Sequence, residues 1–381
     1  MSETTEPATE PTGYWHALLN PTRRGWMLII SGLTTLLLLA VAFLLPVPFV
    51  KLAPGPTFNV IGEDDGRSVI EISGTQTFPV TGNLDMTTVL ESGGPRGGLT
   101  FVDAIASWVN PADAVVPREL LFPDNMTGEE VKKHNDLMFS TSESDAIAAA
   151  MNYLKRPLES EIVVTAVYGD SPADGKLLPK DQILKIGGKD VTSPEQVAKT
   201  VRGAPIGTTF EFTVSRDGVV VDGSMKNNVQ QTVKVTSAPN PDDATIPYVG
   251  IGVGNFYSAG FPIDFTLSDV GGPSAGLMFA TGIIDKLTPE NLTAGKHIAG
   301  TGTIKPDGTV GAIGGIRQKM AGARNAGAEL FLMPKVHCDE ARDHIPDGLT
   351  VVPVETLTNA IDAIHSYTAG KPVPSCPARV S

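Results

Sequence analysis

The longest apolar segment of the chain lies near its N-terminus. Residues 26–45 carry no charged side chain and are long enough to cross the hydrocarbon core of a bilayer as one helix. Arg23 and Arg24 precede the segment and favour a cytoplasmic N-terminus. We therefore expect a disordered cytoplasmic tail over 1–24, a single-pass transmembrane helix over 25–47 and an extracytoplasmic location for the rest. A cleaved signal peptide is the alternative, but the segment is long for one and no Ala-x-Ala site follows.

Shorter periodic patterns follow this segment. Apolar alternation at 69–73 and 87–91 predicts β-strands, and helix-forming runs at 101–109 and 128–154 predict α-helices. We expect residues 50–157 to form an extracytoplasmic segment that packs against a later domain of the chain.

Two further regions have the mixed patterns of an α+β fold. Residues 158–238 combine strands, a capped amphipathic helix at 193–201 and a hairpin with an Asp-Gly turn, which predicts a compact β-rich domain. Residues 245–368 alternate apolar strands with helices and predict a second domain. The predicted fold class is α+β, and residues 369–381 are expected to be a flexible tail.

The charge and the cysteine content exclude several classes of function. The chain of 381 residues has a net charge of −13 at pH 7, and no basic stripe is present to bind nucleic acid. Cys338 and Cys376 fit no metal-binding spacing, so we expect neither a metal nor another cofactor, and their pairing in a disulfide is left open. The stretch at 169–177 has the wrong spacing for a phosphate loop, so no nucleotide site is expected.

A serine enclosed by small residues is the first candidate for chemistry. The sequence Gly272-Pro-Ser-Ala-Gly276 precedes an apolar, helix-forming run. At the start of a helix, free N–H groups and the positive end of the helix dipole stabilise an oxyanion. Ser274 is therefore a candidate nucleophile, and the simpler alternative is that it only caps the helix.

A lysine is the candidate general base. Lys319 lies one turn into a predicted helix that follows Gly314-Gly315, with Ile316 and Met320 beside it. Apolar neighbours disfavour the charged ammonium and lower its pKa, and a neutral amine next to a serine hydroxyl is a general base. The alternative is an ordinary lysine on the surface.

Several separated motifs resemble one known family in order and approximate spacing. They are Gly272-Pro-Ser-Ala-Gly276, Thr301-Gly302, Ile313-Gly-Gly-Ile-Arg-Gln-Lys319 and Met333-Pro-Lys335. Through them, residues 245–366 resemble the proteolytic domain of the Lon family. The resemblance implies that Ser274 is the nucleophile and Lys319 the base of a Ser-Lys dyad, supported by Thr301, with Gly272 and Ala275 at the oxyanion.

One position departs from the Lon pattern. Gly271 stands where the ATP-dependent relatives usually carry an acidic residue, and Asp269 lies two positions earlier. The departure leaves open whether an acidic residue tunes the dyad, and it leaves Ser274 and Lys319 unchanged as nucleophile and base. Lon relatives form hexameric rings, so the resemblance also implies a homo-oligomer.

The region before the Lon-like domain resembles a second family. Ser171-Pro-Ala, Leu178-Pro-Lys-Asp-Gln-Ile and Ile186-Gly-Gly-Lys-Asp-Val are similar to motifs of bacterial PDZ domains, although 158–161 lacks their glycine-rich loop. The resemblance implies a peptide groove between the strand at 162–166 and the helix at 193–201. The expected groove residues are Ile162, Val163, Val164, Val197 and Val201. A rigid spacer without a ligand is the alternative.

The order of membrane helix, PDZ-like unit and Lon-like domain resembles a group of bacterial membrane-anchored PDZ–Lon proteins. It implies an ATP-independent serine endopeptidase, anchored through 26–45, that cleaves extracytoplasmic proteins or peptides with the PDZ domain engaging substrate or regulating access. Two alternatives remain. A Gly-x-Ser-x-Gly hydrolase would need Asp339 or Asp347 with His365, and a PDZ scaffold would carry an inactive protease domain.

Overall fold

The computed structural model describes residues 22–94, 97–122, 128–217, 219–221, 224–226, 228–267 and 270–378. Asp269 and the expected tail up to residue 21 lie outside these ranges. The α-helices, in chain order, are α1 (Arg23–Leu44), α2 (Phe101–Val109), α3 (Gly128–Leu154), α4 (Pro194–Arg202), α5 (Gly276–Leu287), α6 (Ile316–Asn325), α7 (Cys338–Ala341) and α8 (Leu357–Thr368). Short 3-10 helices lie at Arg118–Leu120, Lys335–His337 and Arg342–His344.

The strands divide between the N-terminal half and the C-terminal half of the chain. The first set is β1 (Pro46–Val47), β2 (Phe49–Asn59), β3 (Glu63–Asp64), β4 (Arg67–Ser68), β5 (Ile70–Ile72), β6 (Asn83–Gly93), β7 (Leu99–Thr100), β8 (Ala114–Pro117), β9 (Glu159–Val167), β10 (Gln182–Ile186) and β11 (Lys189–Asp190). The second set is β12 (Thr209–Arg216), β13 (Val219–Val221), β14 (Ser224–Lys226), β15 (Val229–Thr236), β16 (Ala238–Pro239), β17 (Pro247–Tyr248), β18 (Ile251–Ser258), β19 (Ile263–Phe265), β20 (His297–Gly300), β21 (Thr303–Ile304), β22 (Val310–Gly311), β23 (Leu330–Pro334) and β24 (Thr350–Val354).

Helix α1 is the predicted apolar segment. It has 22 residues and none of them is buried against the rest of the protein. The Thr22 side chain caps its first turn by accepting a hydrogen bond from the Gly25 N–H, and Pro46 follows its end. By length and composition, this helix is able to cross a membrane. A signal sequence near an N-terminus has the same length and composition.

One sheet unites the two ends of the chain. Its strand order is β24-β23-β20-β6-β2-β8, and β24, β23, β20 and β6 are parallel. Strand β2 is antiparallel to both of its neighbours, β6 and β8. Strands β2, β6 and β8 come from the segment that was expected only to pack against the later domain. They are instead part of the same sheet as β20, β23 and β24. The PDZ-like unit is therefore inserted into a single α+β domain.

Helices cover both faces of this sheet. Helix α5 is almost entirely buried because it lies between the sheet and helices α3 and α8. Its Phe279 ring meets Phe139 of α3 edge-on at a centroid distance of 5.6 Å and Phe265 at 4.8 Å. Helix α6 covers the opposite face, where it buries Ile316 and Met320.

The inserted unit has its own sheet and core. The strand order is β15-β12-β10-β9-β18, and β11 pairs with β10. Helix α4 buries Val197 and Val201 against Val164 and Phe212 of the sheet. The capped helix at 193–201 was thus predicted at the right place, with Ser193 accepting a hydrogen bond from the Gln196 N–H.

The C-terminal tail differs from the prediction. A disulfide joins Cys338, at the start of α7, to Cys376. The Arg342 side chain also donates a hydrogen bond of 2.7 Å to the Pro377 carbonyl, and Val373 packs on the main core. The prediction of a flexible tail is therefore wrong for its described part, because covalent and apolar contacts attach it to the domain.

Candidate active site

The loop that carries Ser274 is held from one side by helix α3. Gly272 has a φ of 85°, a conformation that glycine adopts without strain, and it starts the turn into Pro273. The Gly272 N–H donates to the Asn135 carbonyl at 3.0 Å, and the Ser142 hydroxyl donates to the Pro273 carbonyl at 3.0 Å. Asn135 and Ser142 were not predicted, since nothing in their local sequence indicates a partner more than 130 positions away.

The same loop is held from the other side by the end of β20. The Ser274 carbonyl accepts hydrogen bonds from the Gly302 N–H at 2.9 Å and from the Thr301 hydroxyl at 3.1 Å. In return, the Gly302 carbonyl accepts the Leu277 N–H at 3.0 Å. The backbone of the serine is therefore fixed at the start of α5, and its side chain points away from these bonds toward α6.

The amine of Lys319 meets the serine hydroxyl. Lys319 Nζ lies 2.6 Å from Ser274 Oγ, and it donates to Thr301 Oγ1 at 3.1 Å and to the Thr87 carbonyl at 3.1 Å. The Thr301 hydroxyl already donates to the Ser274 carbonyl, so toward the lysine it acts as an acceptor. The two N–H groups of a neutral amine are thus taken up by Thr301 and Thr87, which leaves the lone pair directed at Ser274.

Lys319 reaches this position because α6 begins against strand β6. Gly315 precedes the helix with a φ of 69°, and a Cβ at this residue would lie 2.7 Å from Val89 Cγ2. A side chain at this position would therefore both strain the backbone and push the helix from the strand. The Gly314-Gly315 pair was predicted to permit a close backbone approach, and the Gly315 contact with Val89 agrees with it.

Burial sets the protonation of the lysine. Only 3% of Lys319 is exposed, and desolvation lowers the pKa of its amine from 10.5 to about 7. Among the residues that the structure describes, no carboxylate forms a salt bridge with Lys319. At neutral pH a large fraction of the amine is therefore uncharged and able to accept a proton.

The expected oxyanion donors are only partly available. The Gly272 N–H is occupied by the Asn135 carbonyl, so the expectation that it supports the oxyanion is wrong. Within the described ranges, the N–H groups of Ser274 and Ala275 have no hydrogen-bond acceptor. They lie directly before the first turn of α5, where the helix dipole is positive. These two N–H groups are therefore the ones in this loop that are free to donate to an oxyanion.

A cleft of about 590 Å³ opens beside the serine. Its walls are the segment 87–91 of β6, the serine loop, the segment 312–315 and Leu121. Strand β20 pairs with β6 only as far as Met86. Beyond that residue, and within the described part of the chain, the edge of β6 that faces the cleft has no strand partner, so an extended peptide can pair with it.

The residues of the alternative hydrolase lie elsewhere. His365 is on α8 and pairs with Glu290 at 3.6 Å, and Asp339 pairs with Arg342 at 3.2 Å. Neither interaction involves Ser274. Among the described residues, the Ser274 hydroxyl meets the Lys319 amine and no histidine, so the structure gives no support to a Ser-His-Asp triad.

The expected peptide groove of the inserted unit needs a correction. The structure places Ile162, Val163, Val164, Val197 and Val201 in the buried part of this unit. Strand β9 lies between β10 and β18 and so has no free edge for a peptide. The sheet edge nearest α4 is β18, which lies beyond the expected end of this unit at residue 238 and within the range predicted for the following domain.

Known families match both parts of the chain. The Lon protease (S16) C-terminal proteolytic domain matches residues 268–366, and the PDZ domain matches residues 133–235. A mitochondrial Lon protease homolog of Debaryomyces hansenii is 34% identical over 96 residues, which are 24% of this chain and 9% of that protein. The Lon protease of Mesomycoplasma hyopneumoniae is 29% identical over 202 residues, or 48% of this chain and 22% of that protein.

The matched regions are short compared with the relatives. The chain spans less than a quarter of the length of these two proteins. The PDZ domain of the SdrC-like protein from Listeria innocua matches 24% of this chain and 92% of its own, at 20% identity and a TM-score of 0.20. From the two family matches, this chain carries a PDZ domain together with a Lon-type proteolytic domain.

Proposed function

We propose that the protein is a membrane-anchored, ATP-independent serine endopeptidase with a Ser274–Lys319 dyad. The observation that carries the proposal is the 2.6 Å contact between the Ser274 hydroxyl and a buried amine whose pKa is lowered to about 7. A nucleophile with its base in hydrogen-bond contact, beside two free N–H groups, is the arrangement that acyl transfer requires. The match to the Lon proteolytic domain supports the same reaction.

The first half of the reaction uses the neutral amine. Lys319 takes the proton from the Ser274 hydroxyl while Oγ attacks the substrate carbonyl. The N–H groups of Ser274 and Ala275 donate to the oxyanion that forms. The ammonium of Lys319 then gives its proton to the leaving amine, the peptide bond breaks, and Ser274 carries the acyl group.

The second half returns the enzyme to its starting state. Lys319, neutral again, takes a proton from a water molecule that attacks the acyl carbonyl. The acyl–oxygen bond breaks, and the proton passes from Lys319 to Ser274 Oγ. Throughout, Thr301 Oγ1 and the Thr87 carbonyl keep the amine oriented.

The cleft indicates how a substrate lies. The unpaired edge of β6 takes the backbone of an extended segment, which places its carbonyls beside Ser274. Side chains that line the cleft are mostly apolar, including Leu52, Phe58, Met86 and Leu121. We infer a preference for unfolded segments with apolar residues next to the scissile bond.

The edge of β18 is the corresponding site in the PDZ domain. Strand β18 has β9 on one side and contacts α4, and Gly250 and Gly252 lie at its start. The second half of its outer edge is covered by α3, where the Tyr257 N–H donates to the Ser144 hydroxyl at 2.7 Å. A peptide on the first half would thus lie next to the helix that holds the serine loop, so the domain can engage substrate or regulate access.

The disulfide supports the proposed location. Cys338 and Cys376 form a bond that persists in oxidising compartments and is rare in the cytoplasm. With α1 as the single membrane span and Arg23 and Arg24 on the cytoplasmic side, the domains are extracytoplasmic, where ATP is scarce. A homo-oligomer, a hexameric ring by resemblance to Lon, completes the proposal.

Cleavage by matched variants tests the dyad. The detergent-solubilised chain is given an unfolded protein substrate and, separately, a serine-reactive phosphonate probe. Ser274→Ala and Lys319→Met should each abolish cleavage and labelling, whereas His365→Ala should retain both. An active Lys319→Met variant, or an inactive His365→Ala variant, would contradict the proposal.

A further inference from the structure

One helix outside the catalytic domain's core exposes an apolar face. Five side chains of α2 project from the protein at positions that share one side of a helix. Trp108 is 84% exposed and Val109 is 79% exposed. The five residues of this face are Phe101, Val102, Ile105, Trp108 and Val109.

The opposite side of α2 is the polar one, and it faces the protein. Ser107 is the one described residue of the helix that is buried, at 2% exposure. Asp103 is exposed, and its N–H donates to the capping hydroxyl of Thr100. A helix on the surface of a soluble protein has its apolar side inward, so α2 has the reverse orientation.

The position of α2 identifies what its apolar face meets. The Phe101 ring lies 6.1 Å from the ring of Phe43, in the last turn of α1. Strand β7, directly before α2, pairs with β1, directly after α1, through Pro46 with Thr100 and Val47 with Leu99. The apolar face therefore continues from the end of the segment that can cross a membrane.

We propose that α2 lies on the bilayer surface, with its apolar face among the lipid headgroups and the upper acyl chains. A tryptophan at the end of such a face is typical of interfacial helices. The inference rests on the membrane anchoring included in the proposed function, and it adds a second membrane contact that orients the protease. The occupant is lipid because the face is continuous with α1.

Fluorescence from a single tryptophan tests this contact. Trp15 and Trp26 are changed to Phe in the full chain, which leaves Trp108, and the protein is reconstituted into phosphatidylcholine vesicles with or without brominated acyl chains. The matched control adds Trp108→Phe and Tyr153→Trp. Tyr153 is an exposed aromatic residue near the end of α3. Gly128, at the start of α3, lines the same cavity as Gly98 beside β7. Tyr153 lies 25 positions along the helix from Gly128, or about 37 Å at the helical rise.

We expect brominated lipid to reduce the Trp108 emission about twofold and to leave the Tyr153→Trp emission unchanged. A vesicle-bound chain whose Trp108 is not quenched overturns the proposal while anchoring by α1 stands. If Trp108 emission is not quenched by brominated lipid but changes with the density of protein in the vesicles, a second copy of the chain covers the apolar face. That result also overturns the proposal.

Two further readouts separate this inference from the function on which it rests. A chain that does not float with vesicles overturns both the anchoring and the lipid contact. The same samples are treated with the serine-reactive probe, so a loss of Ser274 reactivity is recorded independently of where Trp108 lies. If Ser274 is labelled and Trp108 is not quenched, only the contact of α2 with the bilayer surface is refuted.

Discussion

The Ser274 hydroxyl and the Lys319 amine lie 2.6 Å apart, although 45 positions separate them in the chain. Each residue is placed by the start of a different helix, α5 for the serine and α6 for the lysine. Hydrogen bonds from Thr301 and Gly302 fix the serine backbone, while Gly315 sets the entry of the lysine helix. The two groups are therefore held in contact without a substrate, as the proposed proton transfer requires.

The lowered pKa of Lys319 predicts a pH dependence. Only the neutral amine accepts the Ser274 proton, and burial brings its pKa to about 7. As the pH rises toward this value the neutral fraction grows, so kcat/KM should increase about tenfold per pH unit in the acidic range and level off above about pH 7 to 8. Initial rates with a fluorogenic peptide measure this profile, and a rate that is constant from about pH 5 to about pH 9 would refute the role of Lys319.

Replacement of Thr301 by valine tests how the dyad is positioned. Thr301→Val keeps the shape of this fully buried residue but removes the hydroxyl that bonds both the Ser274 carbonyl and the Lys319 amine. We expect kcat to fall about 10- to 100-fold with KM little changed, and the apparent pKa of the pH profile to shift.

The matched control is Thr301→Ser, which retains the hydroxyl and should recover most of kcat. If the valine variant keeps the kcat and the pH profile of the natural protein, Thr301 only fills space. Circular dichroism on each variant checks that the fold is intact.

Two adjacent glycines offer a matched test of the α6 entry. Gly315→Ala forces a side chain into a left-handed conformation and against Val89, and we expect a loss of about 1–3 kcal/mol in the free energy of unfolding together with reduced cleavage. Gly314→Ala meets no atom within 4 Å and should change stability by less than about 0.5 kcal/mol. Equal effects of the two changes in chemical denaturation would rule out this explanation.

The disulfide should stabilise the catalytic domain. It closes a separation of 38 residues, and the Cys338→Ser, Cys376→Ser double variant should lose about 2–4 kcal/mol of unfolding free energy. A reductant should lower the Tm of the natural protein toward that of the double variant and leave the variant unaffected. If the reductant lowers both melting temperatures equally, its effect does not come from this bond.

The parts of the site that lie in short motifs could be predicted from the sequence. The local patterns around Ser274 and Lys319 made both residues candidates, and the resemblance to Lon favoured the dyad over a capping serine and a surface lysine. The structure places the two side chains in contact. Thr301 was placed by the resemblance to Lon, and its bonds to Ser274 and Lys319 agree with that placement. Helix α1 covers most of the predicted range 25–47, because a continuous apolar run defines such a helix, and its insertion in a membrane stays a prediction.

What depends on distant parts of the chain could not be predicted. Strand β18 completes the PDZ sheet from beyond its expected boundary, so the groove was assigned to β9 instead. The Asn135 carbonyl that occupies the Gly272 N–H gives no signal, since every residue has a carbonyl. The sequence likewise left the pairing of Cys338 with Cys376 open, because the pairing depends on the fold that brings the tail to α7.

The inserted position of the PDZ domain has a consequence for the order of folding. Strands β9 to β18 are consecutive in the chain, so this unit can fold before the later part of the chain has been synthesised. Strand β6 pairs with β20 more than 200 positions later, and Lys319 is synthesised later still. Thr87, Ser274 and Lys319 meet only when that sheet closes, so the contact that would activate the serine is absent from the nascent chain. On the proposed function, a newly made molecule therefore cannot cleave its neighbours before its own domain is complete.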